Sequence, residues 1–147
     1  MRIRYGDYDL DDDPARLDRD AVVSLLATAD AYWDRWRAPA DVQAQIDGAW
    51  RVVGAYQRTD GAMVGFARAV SDGVAMAYLA DVLVAPAARG IRLGVGLVDA
   101  MIEQGPGRGF RWMLHTKDAH GLYQKFGFTA PPSTYLERPS SRARNCT

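Results

Sequence analysis

The run Val82-Leu83-Val84-Ala85-Pro86-Ala87-Ala88-Arg89-Gly90-Ile91-Arg92-Leu93-Gly94-Val95-Gly96-Leu97 changes character in its middle. An apolar, β-branched segment stops at Pro86, which cannot extend a strand ladder. A loop with Arg89 and Gly90 follows, and a helical pattern then opens around Gly94 and Gly96. Leu93, Leu97 and Met101 recur at i,i+4, as do Val98 and Ile102, so the spacing predicts a helix over 92–104. Gly105-Pro106-Gly107 ends it, and Arg111–Leu114 reads as a short strand. Strand, helix, strand is the order of a parallel crossover. The first N–H groups of a helix lack intrahelical partners and lie at the positive end of its dipole, so phosphate oxygens can satisfy them. Gly94 leaves that approach open, and Arg89 and Arg92 offer charge-assisted contacts to a pyrophosphate. A tight turn with close helix packing explains the glycines equally well. The spacing is neither the dinucleotide fingerprint nor a P-loop.

Upstream, the period changes to that of strands. Trp50–Arg58, Ala62–Ser71 and Val74–Val84 are strand-like runs separated by Thr59-Asp60-Gly61 and Asp72-Gly73. Such turns predict an antiparallel meander. Ala21–Trp33 is helical in pattern, with Asp18 or Asp20 as its cap, and Pro39–Ile46 is a second short helix. Arg2–Tyr5 is a candidate first strand, and the acids from Asp7 to Asp13 read as a solvated turn. Ala119–Phe126 reads as a helix stopped by Gly127, with a last strand from Phe128 resuming at Ser133–Arg138 after Pro131-Pro132. The fold class is α/β with a mixed sheet, a meander followed by a parallel crossover. One domain is expected over 1–138, with a flexible tail over 139–147.

Composition narrows the function classes. The chain has 147 residues, 48% hydrophobic, enough for a core without metal or disulfide. Eighteen basic and eighteen acidic side chains cancel, which removes any general attraction to nucleic acid or anionic membrane. The single cysteine, Cys146, excludes internal disulfides. No apolar run reaches a membrane span, and the acidic N-terminus is no signal peptide, so a cytoplasmic location is expected. Two histidines and scattered aspartates form no metal spacing, so no metal is expected.

The order of elements and two motifs resemble the GCN5-related N-acetyltransferase (GNAT) superfamily across residues 2–138. The family's loop, Arg/Gln-x-x-Gly-x-Gly/Ala, is matched by Arg89 and Gly94, with Arg92 at the usual glycine. Arginine fits helical backbone angles, so the fold is expected to accept it, with Arg92 swung out to pair with phosphate. The second motif, Leu-Tyr-x-x-x-Gly-Phe, is matched by Leu122, Tyr123, Gly127 and Phe128. Thr116 stands where the family often has Asn.

The resemblance implies an acyl-CoA N-acyltransferase fold and transfer of an acetyl group from acetyl-CoA to a small-molecule primary amine by direct attack. A protein amine as acceptor, or a non-catalytic acyl-CoA-binding domain, are the alternatives. Cofactor contacts would fall on Leu83, Val84, Arg89, Gly90, Ile91, Arg92, Leu93, Gly94 and Tyr123. Tyr123 is the candidate general acid for the leaving thiolate, since a phenol is matched to a thiol. A tyrosine merely packed on the sheet is the other reading. Asp81 sits in an apolar strand, where strand period groups it with Leu79 and Leu83. It either handles the amine or holds an arginine or backbone N–H beneath the site. His120 either relays a proton or caps a turn at Asp118, and His115 reads as a local hydrogen-bonding residue. Tyr32, Trp33, Trp36 and Trp50 are either an aromatic acceptor pocket or core packing. A monomer or a homodimer, closed by the Ser133–Arg138 strand, is compatible with the pattern.

Overall fold

Turn chemistry sets the strand ends. The Asp72 carboxylate accepts from the N–H groups of Val74, Ala75 and Met76 at 2.9, 2.9 and 3.2 Å, and Gly73 takes a φ of 77°. The computed structural model describes residues 1–28, 37–117 and 119–141. Tyr32, Trp33, Trp36, Asp118, the end of the first predicted helix and residues 142–147 with Cys146 lie outside that set.

The elements are β1 (Arg2–Tyr5), β2 (Tyr8–Asp11), α1 (Arg19–Thr28), α2 (Pro39–Asp47), β3 (Arg51–Gln57), β4 (Met63–Ser71), β5 (Met76–Val84), α3 (Leu93–Ile102), β6 (Arg111–Leu114) and α4 (His120–Gln124). They build a six-stranded sheet in the order β1-β2-β3-β4-β5-β6. All neighbours are antiparallel except β5 and β6, the parallel pair joined through α3. The meander and the crossover stand where the sequence predicts them. Asp18 caps α1 by accepting from Ala21 N–H at 3.1 Å.

The acidic run is corrected. Residues 8–11 are a strand between β1 and β3, with Tyr5 opposite Tyr8 across a turn at Gly6, φ 57°. Arginines neutralise the acids: Asp9 lies 2.6 Å from Arg2 and 3.6 Å from Arg16, and Asp11 lies 3.1 Å from Arg16. The predicted last strand is also corrected. Among the described residues none beyond Leu114 is in a strand. Pro131 and Pro132 remove two ladder donors, and Tyr135 and Leu136 are 43% and 91% exposed.

Two cores flank the sheet. Leu93, Leu97, Val98 and Met101 of α3 pack with Val53, Ala67 and Leu79 on one face. On the other, Val22 and Leu25 of α1 and Val42 and Ile46 of α2 pack with Phe66, Tyr56 and Leu83. Trp50 packs with Phe110 and Trp112, ring centroids 5.6 and 6.3 Å apart, against the α3 core. Arg51 anchors the far end of α3, donating to the carbonyls of Ala100 and Met101 at 2.9 and 2.8 Å and to Asp12 at 3.1 Å.

A β-bulge divides β5. Arg68 faces Asp81 while Ala69 faces Leu79, leaving Ala80 extra. The bulge inverts the face assignment, because one extra residue shifts a period of two. Leu79, Val82 and Val84 pack toward α3, and Leu83 packs toward α1 and α2. The expected grouping of Leu79 with Asp81 and Leu83 is therefore wrong.

Candidate active site

The parallel ladder between β5 and β6 runs from Met76–Arg111 to Leu79–Leu114 and stops, while β5 continues to Val84. The far half of β5 thus has β4 on one edge and a fork on the other. Ala85 N–H reaches the carbonyl of Val64 at 2.8 Å, so odd-numbered residues here point their backbone groups at β4. Alternation turns those of Val82 and Val84 toward the fork. The Val84 carbonyl accepts from Arg89 Nε at 3.3 Å.

The fork opens into a cavity of about 160 Å³ lined by Val84, Ala88, Arg89, Gly90, Arg92, Leu93, Gly94, Val95 and Leu122. It lies at the N-terminus of α3, where no side chain caps the helix. Gly90 and Arg92 both adopt left-handed backbone, with φ of 89° and 61°. Arg92 is therefore not helical, contrary to expectation. It is the residue before α3, in a conformation that glycine adopts freely and that costs other L-residues about 1–2 kcal/mol. A glycine, as the family pattern has at this position, would take this turn without that cost. Turns of this kind aim successive N–H groups into a concavity suited to an anion.

A support for that turn comes from the opposite edge of the sheet. Tyr5 of β1 donates its hydroxyl to the Arg92 carbonyl at 2.9 Å, and its ring covers Gly96. A Cβ on Gly96 would lie 3.0 Å from the ring. Gly96 N–H donates to the same carbonyl at 3.2 Å. Nothing in the local sequence signals this contact, which spans 87 positions. A Cβ on Gly94 would meet Leu122 and Val84 only at 3.7 and 4.0 Å, so the loop's packing does not demand that glycine. A polyanion with an apolar arm fits these residues: Arg89, Arg92 and the loop backbone offer charge and N–H groups, and Val84 and Leu122 offer apolar surface.

Tyr123 packs against the α3 core and meets Phe128 edge-on at 5.7 Å. Burial pushes its phenol above the ordinary value, which keeps it protonated at neutral pH. His120 donates from Nε2 to the Thr116 carbonyl at 3.1 Å, and the Thr116 hydroxyl accepts from Ala119 N–H at 3.1 Å. Both groups thus stitch the turn before α4. Asp81 lies on the opposite face of the sheet from α3. Its carboxylate accepts from Arg68 at 2.7 Å and from Arg37 at 3.0 and 3.1 Å, all three side chains being buried. Burial pushes that carboxyl up, but the Arg37 hydrogen bonds and the Arg68 charge outweigh it and hold it below the usual range. A carboxylate so engaged is a poor base. Among the described residues no cluster of His, Cys, Asp and Glu could hold a metal, and no helix is long and apolar enough to cross a membrane.

The model of the Acetyltransferase (GNAT) family matches residues 21–128, which include the fork, the loop and α4. The chain belongs to the GNAT family. A candidate acetyltransferase of the same family from Xanthomonas campestris pv. campestris has a crystal structure that superimposes with a TM-score of 0.81 at 36% identity, over 90% of this chain and 93% of that one. A glucosamine-6-phosphate N-acetyltransferase from Arabidopsis thaliana shares the fold at 12% identity, TM-score 0.61, covering 89% of this chain and 97% of that one. An aminoglycoside N-acetyltransferase in complex with CoA does so at 17% identity, TM-score 0.62, covering 95% and 99%. A candidate acetyltransferase from Gibberella zeae is 31% identical over 125 residues, 74% of this chain. The chain spans 61% of the length of that curated relative. The chain opens with a β1–β2 hairpin and has, among its described residues, no strand after α4.

Proposed function

We propose that this GNAT protein transfers an acetyl group from acetyl-CoA to a primary amine of a small molecule by direct attack. The observation that carries the reading is the fork: β5 parts from β6 after Leu79–Leu114 and runs open-edged into the left-handed loop at the head of α3. Backbone N–H groups from Gly90 to Gly94, with Arg89 and Arg92, hold the pyrophosphate. Leu93 shapes a wall, whereas Leu83 turns to the α1–α2 core and Ile91 is exposed, so neither side chain lines the cavity; Val84 offers the backbone groups along which a pantetheine arm lies as a further strand. Bound acetyl-CoA supplies an activated acyl carbon. The residues lining the cavity carry neither thiol nor hydroxyl, which supports attack by the acceptor itself rather than through an acyl-enzyme.

Tyr123 serves as the general acid that protonates the departing sulfur. Its protonated phenol, on the α3 face beside Leu122, supports that role. Asp81 acts as a buried clamp, its carboxylate taken up by Arg37 and Arg68, and His120 acts as a turn residue held through Nε2 by the Thr116 carbonyl. A protein amine as acceptor is the same chemistry with a wider approach.

Calorimetry with acetyl-CoA and with pantetheine tests the site, and CoA-thiol release on an amine panel tests the reaction. Phosphate-dependent binding that Arg89→Ala weakens, with turnover that Tyr123→Phe lowers, is expected. Equal binding of acetyl-CoA and pantetheine overturns the phosphate site. Binding without thiol release from any amine assigns the chain to the non-catalytic alternative.

A further inference from the structure

On the face of the sheet opposite α3, Tyr78 and His115 share a hydrogen bond, and Glu137 lies against the other nitrogen of the imidazole. Tyr78 Oη lies 2.6 Å from His115 Nδ1, and His115 Nε2 lies 2.7 Å from Glu137 Oε1. Their place in the fold is specific. Tyr78 precedes Leu79, and His115 follows Leu114, while Leu79–Leu114 is the last rung of the parallel ladder. The pair therefore brackets the point where the two strands part. Leu79, Trp112 and Leu114 turn toward the α3 core, so alternation turns Tyr78 and His115 to the other side. The rings sit 5.7 Å apart, and the hydrogen bond between them is exposed.

The geometry points to a proton relay, Tyr78–His115–Glu137, that deprotonates the acceptor amine from the face opposite α3. This inference rests on the acetyltransferase reading above. In this relay the Glu137 carboxylate, 2.7 Å from Nε2, favours a proton on that nitrogen, which leaves the Nδ1 lone pair to accept from the Tyr78 hydroxyl. The ammonium of the acceptor gives one proton to Tyr78 Oη as the phenolic proton passes to Nδ1. The imidazolium so formed is paired with Glu137 and later returns its proton to solvent. The neutral amine then forms the N–C bond as the C–S bond breaks. The second nitrogen proton restores Tyr123 after Tyr123 has protonated the sulfur. The net change is ammonium plus thioester to amide, thiol and one proton. Tyr78 is the catalytic residue, and His115 and Glu137 position and charge it. Among the described residues, the titratable groups on the imidazole are Tyr78 from β5 and Glu137 from the C-terminal segment. Asp81, on the same face, is held by its two arginines and takes no part.

The test compares Tyr78→Phe, His115→Gln and Glu137→Gln with the wild type, using acetyl-CoA and a panel that includes benzylamine and aniline. Gln at 115 keeps a polar side chain of similar size and cannot be protonated. An alkylamine is an ammonium at neutral pH and needs the relay, whereas an arylamine is already neutral. Loss of about 10²-fold in kcat/KM for alkylamines is expected, the usual scale of general-base catalysis, with loss of the acid-side limb of the pH profile and an unchanged melting midpoint. Arylamine turnover, where present, should be spared. Nitrogen NMR of the two histidines reads the tautomer without any acceptor. A proton on Nδ1, unchanged alkylamine kinetics, or equal losses on both amine classes each overturns the relay while the transferase reading stands. Wild-type protein that releases no thiol with any amine overturns both.

Discussion

Arg92 illustrates how one backbone angle decides the meaning of a side chain. An arginine before a helix looks neutral when only composition and period are known. At φ 61° it occupies a region that disfavours a Cβ, and the Tyr5 hydroxyl on its carbonyl helps to hold it there. Its guanidinium is exposed at the cavity, where in the proposed function it would meet phosphate oxygens that glycine could not reach. Two variants separate these effects. Arg92→Gly releases the conformational cost and should raise stability by about 1 kcal/mol, the left-handed penalty less the extra chain entropy of glycine. Arg92→Ala keeps the cost and should leave stability near that of the wild type. Both should weaken CoA binding several-fold and leave pantetheine binding unchanged. Urea unfolding and calorimetry on the same samples check the pair. Tighter CoA binding by Arg92→Gly would show that the side chain obstructs the loop rather than serving it.

Elements register against one another through a few buried polar groups, and here the local signals run out. The Asp72-Gly73 turn and the Gly105-Pro106-Gly107 stop were legible because each acts within a few residues of itself. The bulge at Ala80 was not, since its cause is the pairing of β4 with β5, and it reversed which side chains share a face. The acids of β2 read as solvent-facing because Arg2 and Arg16 become their partners only after folding. Arg37 is likewise far from Asp81 in sequence, so the clamp tying β5 to β4 and to the start of α2 was visible only as one acid in an apolar strand. The pH dependence of the clamp follows from the sign of its shift. The folded Asp81 carboxyl lies below the ordinary value near ~3.9. Its stabilisation is therefore complete above that pH and is lost as pH falls through the folded value. Asp81→Asn should cost about 3–5 kcal/mol at pH 7, the usual price of leaving buried charges unpaired. The gap between variant and wild type should narrow below pH ~4. Denaturant midpoints at pH 7 and pH 3 measure it, and a gap that stays constant would mean that the Asp81 charge is held no better in the folded chain than in the unfolded one.

At the scale of the whole molecule, the sheet separates two tasks. The α3 face carries the loop, the cavity and Tyr123, and the other face carries the Asp81 clamp and the Tyr78–His115 pair. The fork after Leu79–Leu114 is where the two sides meet. The meander, the crossover and both family motifs made this plan readable in outline, because glycines, prolines and hydrophobic period act locally. The division of labour between faces had to wait for the strand registers. One consequence concerns stability. The loop is the head of α3, and α3 supplies much of one core and is anchored at its other end by Arg51. A ligand held by the loop is thereby coupled to the global fold rather than to a detachable lid. Acetyl-CoA at a hundred times its Kd should add about 2.7 kcal/mol to the unfolding free energy. At this chain length that raises the melting midpoint by roughly 5–10 °C. Pantetheine at the same concentration should give a far smaller rise, and Arg89→Ala should need more acetyl-CoA for the same shift. Thermal scans against ligand concentration measure all three. A calorimetrically saturated sample with an unmoved midpoint would show that the loop opens independently of α3, so that the cofactor site and the core are separate cooperative units.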